Sequence, residues 1–156
     1  GEDVKFIARR LIISASEDIG LANPNALMLA NETFSAVERV GWPESRIILS
    51  QCVIYLATSP KSSSAYDAIN AAQKLVQQTG NLETPDHLKN ASSALAKDLG
   101  HGKGYLYPHD YSGSFIQQEY LPKELSGTTL WNASGNVKEQ QLSAQQQALW
   151  KEKYEN

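Results

Sequence analysis

The sequence is poor in the residues that most often carry chemistry unaided. Cysteine occurs once, at Cys52, so no internal disulfide can form, and with no apolar leader at the start the chain suits a reducing cytoplasm. Positive charge is not in excess: 14 Lys plus Arg stand against 17 Asp plus Glu, a formal net charge of -3. No overall field therefore draws the chain to nucleic acid or anionic lipid, and any such contact has to be local. Long hydrophobic runs are missing too. The stretches from Phe6 to Ile13 and from Ile47 to Ala57 are broken by Arg9, Arg10, Ser50 and Gln51, short of the roughly 20 apolar residues that a spanning helix needs. No membrane span is expected.

The familiar catalytic signatures are absent. There is no G-x-x-x-x-G-K-[ST], and the nearest glycine cluster, Gly100-His101-Gly102-Lys103-Gly104, has the wrong spacing and no Ser or Thr after its lysine. No ATP hydrolysis is expected from this stretch of chain, and no cofactor. There is no G-x-S-x-G and no H-E-x-x-H, while Cys52 lies on an apolar helical stripe as a buried, inert thiol. No catalytic residue is assigned. His87, His101 and His109 with Asp110 lack the helical spacing that preorganises a zinc site, so no metal site is assigned either. Methionine occurs once, at Met28, and the chain opens on Gly1, which reads as a piece of something longer.

What is present is 156 residues of which 41% are hydrophobic, enough for a true core. Apolar residues recur at three and four. Val4, Ile7, Leu11, Ala15 and Ile19 predict a first helix ending at Gly20; Asn23 as cap and Pro24 at the first position open a second, running through Leu27, Ala30, Phe34, Val37 and Val40 to Gly41. Ile48, Leu49, Cys52, Val53, Tyr55 and Leu56 leave a third helix little polar surface, so it is expected at the centre. A fourth, capped by Ser62 to Ser64, carries Ala65, Ile69, Ala72, Leu75 and Val76 to Gly80. A short helix follows Thr84-Pro85-Asp86, and Asn90 is placed to cap another through Leu99. The fold class is all-α.

Periodicity then fails across an irregular Gly/Pro/Tyr-rich segment, 100–134, whose Tyr105, Tyr107, Tyr111, Phe115, Tyr120 and Trp131 predict that it packs on the helices. Val137 to Tyr154 reads as a polar C-terminal helix with a thin stripe at Leu142, Ala144, Ala148 and Leu149. The organisation expected is thus a helical domain over 1–134 and a tail over 135–156.

Three places invite a functional reading. Glu17 and Asp18 sit in the last turn of a helix, where the macrodipole disfavours them, so pairing with Arg9, Arg10 or a neighbouring helix's amides is expected, with an acid-base or cation site as the other reading. Arg9 and Arg10 are 100° apart on one helix, so one is expected to have a buried or interfacial partner. Finally, His101, Lys103, Tyr105, Tyr107 and His109 interleave basic and aromatic side chains as single-strand nucleic-acid surfaces do, and with Arg9 and Arg10 they form the candidate DNA-binding set.

The sequence resembles the C-terminal part of the bacterial AAA-type ATPases called RarA or MgsA, relatives of the eukaryotic Werner helicase-interacting ATPase. The resemblance runs through residues 1–122. It rests on Ile7-Ala8-Arg9-Arg10-Leu11, Ala15-Ser16-Glu17-Asp18-Ile19-Gly20, Ala36-Val37-Glu38-Arg39-Val40-Gly41, Ile54-Tyr55-Leu56-Ala57 and Pro60-Lys61-Ser62. Later it continues in His87-Leu88-Lys89-Asn90-Ala91, Gly102-Lys103-Gly104-Tyr105, Tyr107-Pro108-His109-Asp110-Tyr111 and Gln118-Glu119-Tyr120-Leu121-Pro122. It implies a helical domain like the collar of clamp loaders, assembling as a homotetramer. It implies further that the ATPase module, with its ATP and Mg, lies upstream of Gly1. The whole protein would be a DNA-dependent ATPase acting at stalled replication forks, in the bacterial cytoplasm with the nucleoid, with single-strand-binding protein as a partner. Three readings stay open at this point: an assembly module, a local single-stranded DNA or single-strand-binding-protein contact, and an enzyme in its own right built on Glu17, Asp18 and the histidines.

Overall fold

A computed structural model describes residues 1–151. Among them the chain is all-α: α1 (Val4–Ser14), α2 (Asn25–Val40), α3 (Ser45–Thr58), α4 (Ser64–Thr79), α5 (Ala94–Asp98) and α6 (Val137–Trp150), with no strand. The expected continuation of the tail to Tyr154 lies outside the described residues. The chain divides into two compact units, one of 1–72 with 130–144, the other of 73–129 with the residues from 145 on.

In the first unit α1, α2 and α3 pack together on small side chains. Ala15, Ala26, Ala30 and Cys52 are fully buried with Ile19 and Leu56, and Ala8 and Val37 are buried beside Leu49. Alanine at these positions lets helix axes approach closely, while the larger Leu11, Ile12, Phe34 and Tyr55 close the rim. α2 touches both α1 and α3, so the place expected for α3 at the centre is corrected. α3 buries only the face of Ser45, Leu49, Cys52 and Leu56 and leaves Ile47 and Ile54 about 60% exposed.

Helix ends differ from the sequence reading in ways that matter for packing. α1 runs into a wide π turn, Ala15–Ile19, closed where the Gly20 amide donates to the Ala15 carbonyl. Asn23 does not cap α2: its amide donates to Tyr55 Oη at 3.0 Å and Ser59 Oγ at 3.1 Å, fastening the entry of α2 to the end of α3. That long-range pair takes the side chain that a local cap would have used. Lys61 Nζ closes α3 on the Leu56 and Ser59 carbonyls. α4 buries the face of Ser64, with Ala68, Ala72 and Leu75 half-buried, whereas Ile69 and Val76 of the expected stripe are exposed.

The second unit is held differently, with no fully buried residue among those described. Ser93, not Asn90, caps α5, its Oγ accepting from the Ala96 amide at 3.1 Å. The irregular segment contains only short 3-10 turns and a polar clasp. The Glu119 carboxylate accepts from the Tyr120 and Leu121 amides, the Ser126 hydroxyl and the Gly127 amide. Of the aromatics expected to pack, Phe115 and Tyr120 meet Trp150 edge-on at 5.2 and 6.2 Å, while Tyr105, Tyr107 and Tyr111 stay 39–53% exposed. In the first unit, Trp131 donates to Ser64 Oγ at 3.0 Å.

Two substitutions of opposite sign test this packing. At Gly20, φ is +49° and an added Cβ would stand 2.9 Å from the Ser62 carbonyl oxygen, so Gly20→Ala is expected to lower stability by about 1–3 kcal/mol. Ser45 is fully buried and its hydroxyl has no hydrogen-bond partner among the described residues, so Ser45→Ala is expected to be neutral or to raise stability by about 1 kcal/mol. Thermal unfolding followed by circular dichroism reads both.

Candidate nucleic-acid interface

The proposed DNA-contacting residues fall into two groups. Arg9 and Arg10 belong to the first unit; His101, Lys103, Tyr105, Tyr107 and His109 belong to the second. On α1 the buried stripe of Ala8, Leu11 and Ala15 leaves positions 9 and 10 on either side of the solvent face, so both arginines are exposed. The buried partner expected for one of them is therefore not found: Arg9 lies over the Phe6 ring at 5.9 Å, and neither forms an ion pair among the described residues. The 100° between them straddles the outer face instead of sending one inward.

Glu17 and Asp18 are exposed and do not pair with Arg9 or Arg10. The Asp18 carboxylate accepts from Ser14 Oγ at 2.7 Å, and its backbone carbonyl accepts from the Ser62 amide at 2.8 Å. Both line an open cleft of about 590 Å³ with Lys61, Ser62, Ser63 and Ser134. Among the described residues no three His, Cys, Asp or Glu side chains gather where a metal ion could sit.

In the second unit, α5 ends at Asp98 and the chain turns back on itself through Gly100. The Gly102 amide donates to the Asp86 carbonyl at 2.7 Å, Lys103 to Gly100 and Tyr105 to Gly102. These three amides are committed within the chain and are not free to cradle a phosphate. Lys103 is exposed. Pro108 opens a 3-10 turn that sets the Tyr107 and His109 rings 5.2 Å apart at 60°, with His109 Nδ1 3.2 Å from Ser114 Oγ. Lys89, by contrast, is engaged by Glu83 at 3.0 Å and Asp86 at 2.7 Å. Its hydrogen bond and charge hold the Asp86 carboxyl below the usual carboxylate range.

The residue that the sequence reading missed is Glu139. It lies in the polar tail of the sequence, yet it is fully buried at the start of α6. Its carboxylate accepts from the Ser134 amide at 2.9 Å and from Asn136 Nδ2 at 3.0 Å, with the Ser62 and Ser64 hydroxyls as further donors. Asn136 Oδ1 accepts from the Glu139 amide in return. An Asn followed three residues later by Glu is a helix-start signal readable in the sequence. Burial pushes the carboxyl up, but these donors outweigh it and bring its pKa from 4.5 down to about 2.

A family model described as MgsA AAA+ ATPase C terminal matches residues 1–150. Among curated relatives, an uncharacterized protein of Thermotoga maritima is 44% identical over 154 residues, 99% of this chain and 25% of its own length. Replication-associated recombination protein A of Coxiella burnetii is 45% identical over 128 residues, 81% of this chain and 29% of its own. The protein of that name from Bacillus subtilis is 45% identical over 123 residues, 79% of this chain and 29% of its own. The chain therefore spans between a quarter and a third of the length of these relatives.

Glu139 yields a pH prediction. Because its pKa is lower in the folded state, its contribution is complete above pH 4.5 and is lost as pH falls from there toward 2. Glu139→Gln is expected to cost up to about 3 kcal/mol near pH 7 and to flatten the stability profile between pH 5 and 2. Urea unfolding at a series of pH values measures both. A variant whose profile keeps the wild-type slope would assign that slope to other carboxylates.

Proposed function

Since the chain belongs to the C-terminal family of the MgsA AAA+ ATPases, matched over residues 1–150, we propose that it is the helical assembly module of a longer ATPase of replication-linked recombination. The observation that carries this reading is the outer face of α3. Ile47 and Ile54 lie two turns apart on one side of the helix, 59% and 61% exposed, with Val53 at 45%. Met28 on α2 is 68% exposed, and Tyr66 and Ile69 on α4 are at least half exposed. Helices whose inner faces close a core while their outer faces remain apolar support burial against further protein.

In this reading sister subunits join as a homotetramer, in the manner of a clamp-loader collar. ATP and Mg serve the ATPase part of the longer protein. The assembly works on DNA at stalled replication forks, in the bacterial cytoplasm with the nucleoid and in partnership with single-strand-binding protein. The printed names of the relatives from Coxiella and Bacillus support the replication and recombination setting.

A second reading has its own support. The Tyr107 and His109 rings, together with exposed Tyr105 and exposed Lys103, form a local basic and aromatic surface in the second unit. This surface would contact single-stranded DNA or single-strand-binding protein despite the net negative charge. Arg9 and Arg10, both exposed on α1, are proposed as backbone contacts in the same role.

Light scattering behind size-exclusion chromatography, over a concentration series from low to high micromolar, separates the readings. Four times 17.2 kDa, about 69 kDa, is the mass expected of the chain, and Ile54→Asp is expected to reduce it to 17.2 kDa. A wild-type chain that stays at 17.2 kDa throughout would remove the assembly reading for this segment and leave the DNA contact as its function.

A further inference from the structure

The second unit also holds a hollow of about 490 Å³ lined by His87, Lys89, Asn90, Gly102, Tyr105 and Tyr120 among others. Its volume lies within the range of small-ligand sites. Its walls are stitched in place. The Gly102 amide holds the Asp86 carbonyl, and Gln118 Nε2 donates to both the Leu106 carbonyl at 2.7 Å and Tyr120 Oη at 3.1 Å. His87 Nε2 is 2.8 Å from the Glu119 carbonyl. A carbonyl can only accept, so Nε2 carries the proton, and Nδ1 of the neutral ring is left as an acceptor.

The free groups of this hollow have one chemistry in common. Asn90 is exposed and its amide, with donors and an acceptor, makes no hydrogen bond among the described residues; neither does the Tyr105 hydroxyl. Tyr105 and Tyr120 are each about 40% exposed, so their rings are accessible. The charge of Lys89 is already met by Glu83 and Asp86, which makes the interior unsuited to a phosphate. Lys103, between Gly102 and Tyr105 in the chain, is exposed with no ion pair among the described residues. An uncharged aromatic ring with hydrogen-bonding edges, attached to an anion outside, matches this distribution.

We propose that the hollow holds one unstacked base of a single-stranded nucleic acid: Tyr105 and Tyr120 supply aromatic faces, Asn90 and His87 Nδ1 meet the base edge, and Lys103 meets the adjoining phosphate. An apolar side chain of a protein partner would leave Asn90 and His87 unsatisfied, which favours the base. The inference rests on the second reading above and narrows it from a surface to a pocket with a base-selective member.

The test uses the 156-residue chain titrated at low salt with fluorescein-labelled single-stranded oligodeoxyadenylate and oligothymidylate, read by anisotropy and by amide chemical shifts. Tyr105→Leu is expected to weaken both about 5- to 100-fold. Asn90→Ala is expected to weaken the two by unequal factors, and Lys103→Ala both by the same factor with a smaller salt dependence. Unchanged amide shifts at Ser126 and Gly127, in the Glu119 clasp of the same unit, verify that each variant is folded. If Tyr105→Leu and Asn90→Ala bind within twofold of wild type while Lys103→Ala loses affinity, the pocket is overturned and the surface reading stands. If the wild type binds neither oligonucleotide, both fall. Free deoxyadenosine monophosphate shifting the Ala91 and Gly102 amides when neither strand does would overturn the strand as ligand. Intact single-strand-binding protein shifting them when nucleic acid does not would overturn the base.

Discussion

A carboxylate removed from water is tolerable only when its lone pairs are met, and Glu139 meets that condition with groups from two distant stretches of chain. Ser134 and Asn136 are local to the start of α6; Ser62 and Ser64 belong to the turn that starts α4. The arrangement fixes where both helices begin. Ser64 Oγ also accepts from the Trp131 indole, and the Ser62 amide reaches the carbonyl of Asp18. The π turn, the α3–α4 connection and the return strand of chain at 130–139 therefore meet at one polar knot beside an otherwise small-residue helical core. Removing the carboxylate would orphan several donors at once, which is why the rest of the first unit leans on it.

Alanine does the complementary work. Ala8, Ala15, Ala26 and Ala30 carry little apolar area each, yet they let three helices approach closely enough for Ile19, Val37, Cys52 and Leu56 to be fully or nearly fully enclosed. The consequence is an unusual division of large apolar side chains: several stand outside, on α2, α3 and α4. Among the described residues the second unit has no such core and relies on the Glu119 clasp, the Gln118 bridge and aromatics around Trp150. Its exposed tyrosines are consequently supported by a polar frame, and a ligand face can be accessible and still well positioned.

The functional consequence follows from that division. The chain belongs to the MgsA AAA+ ATPase C-terminal family, and its apolar outer faces are the physical ground on which assembly is proposed. The second unit carries His101, Lys103, Tyr105, Tyr107 and His109, the groups proposed for nucleic-acid contact. Assembly and nucleic-acid contact can thus reside in separate parts of one short chain.

The positions of α1 to α4 could be read from apolar spacing and from Gly20, Gly41 and Gly80, because a helix's existence depends on local periodicity and on residues that stop it. The absence of a P-loop was equally plain, since a motif is a property of adjacent residues. The basic and aromatic character of 101–109 was also local information. Which face of a helix is buried was not. Ile47 and Ile54 are as apolar as Leu49 and Leu56, and only the placement of α1 and α2 decides which pair lies inside. Asn23 could serve a local cap or a distant tyrosine with the same amide, and the distance to Tyr55 chose the latter. Glu139 reads as one more polar residue until Ser62 and Ser64 come within reach from more than seventy positions away. Local propensity set the elements, and tertiary structure decided their faces and partners, because burial and hydrogen bonding depend on neighbours that sequence distance does not encode.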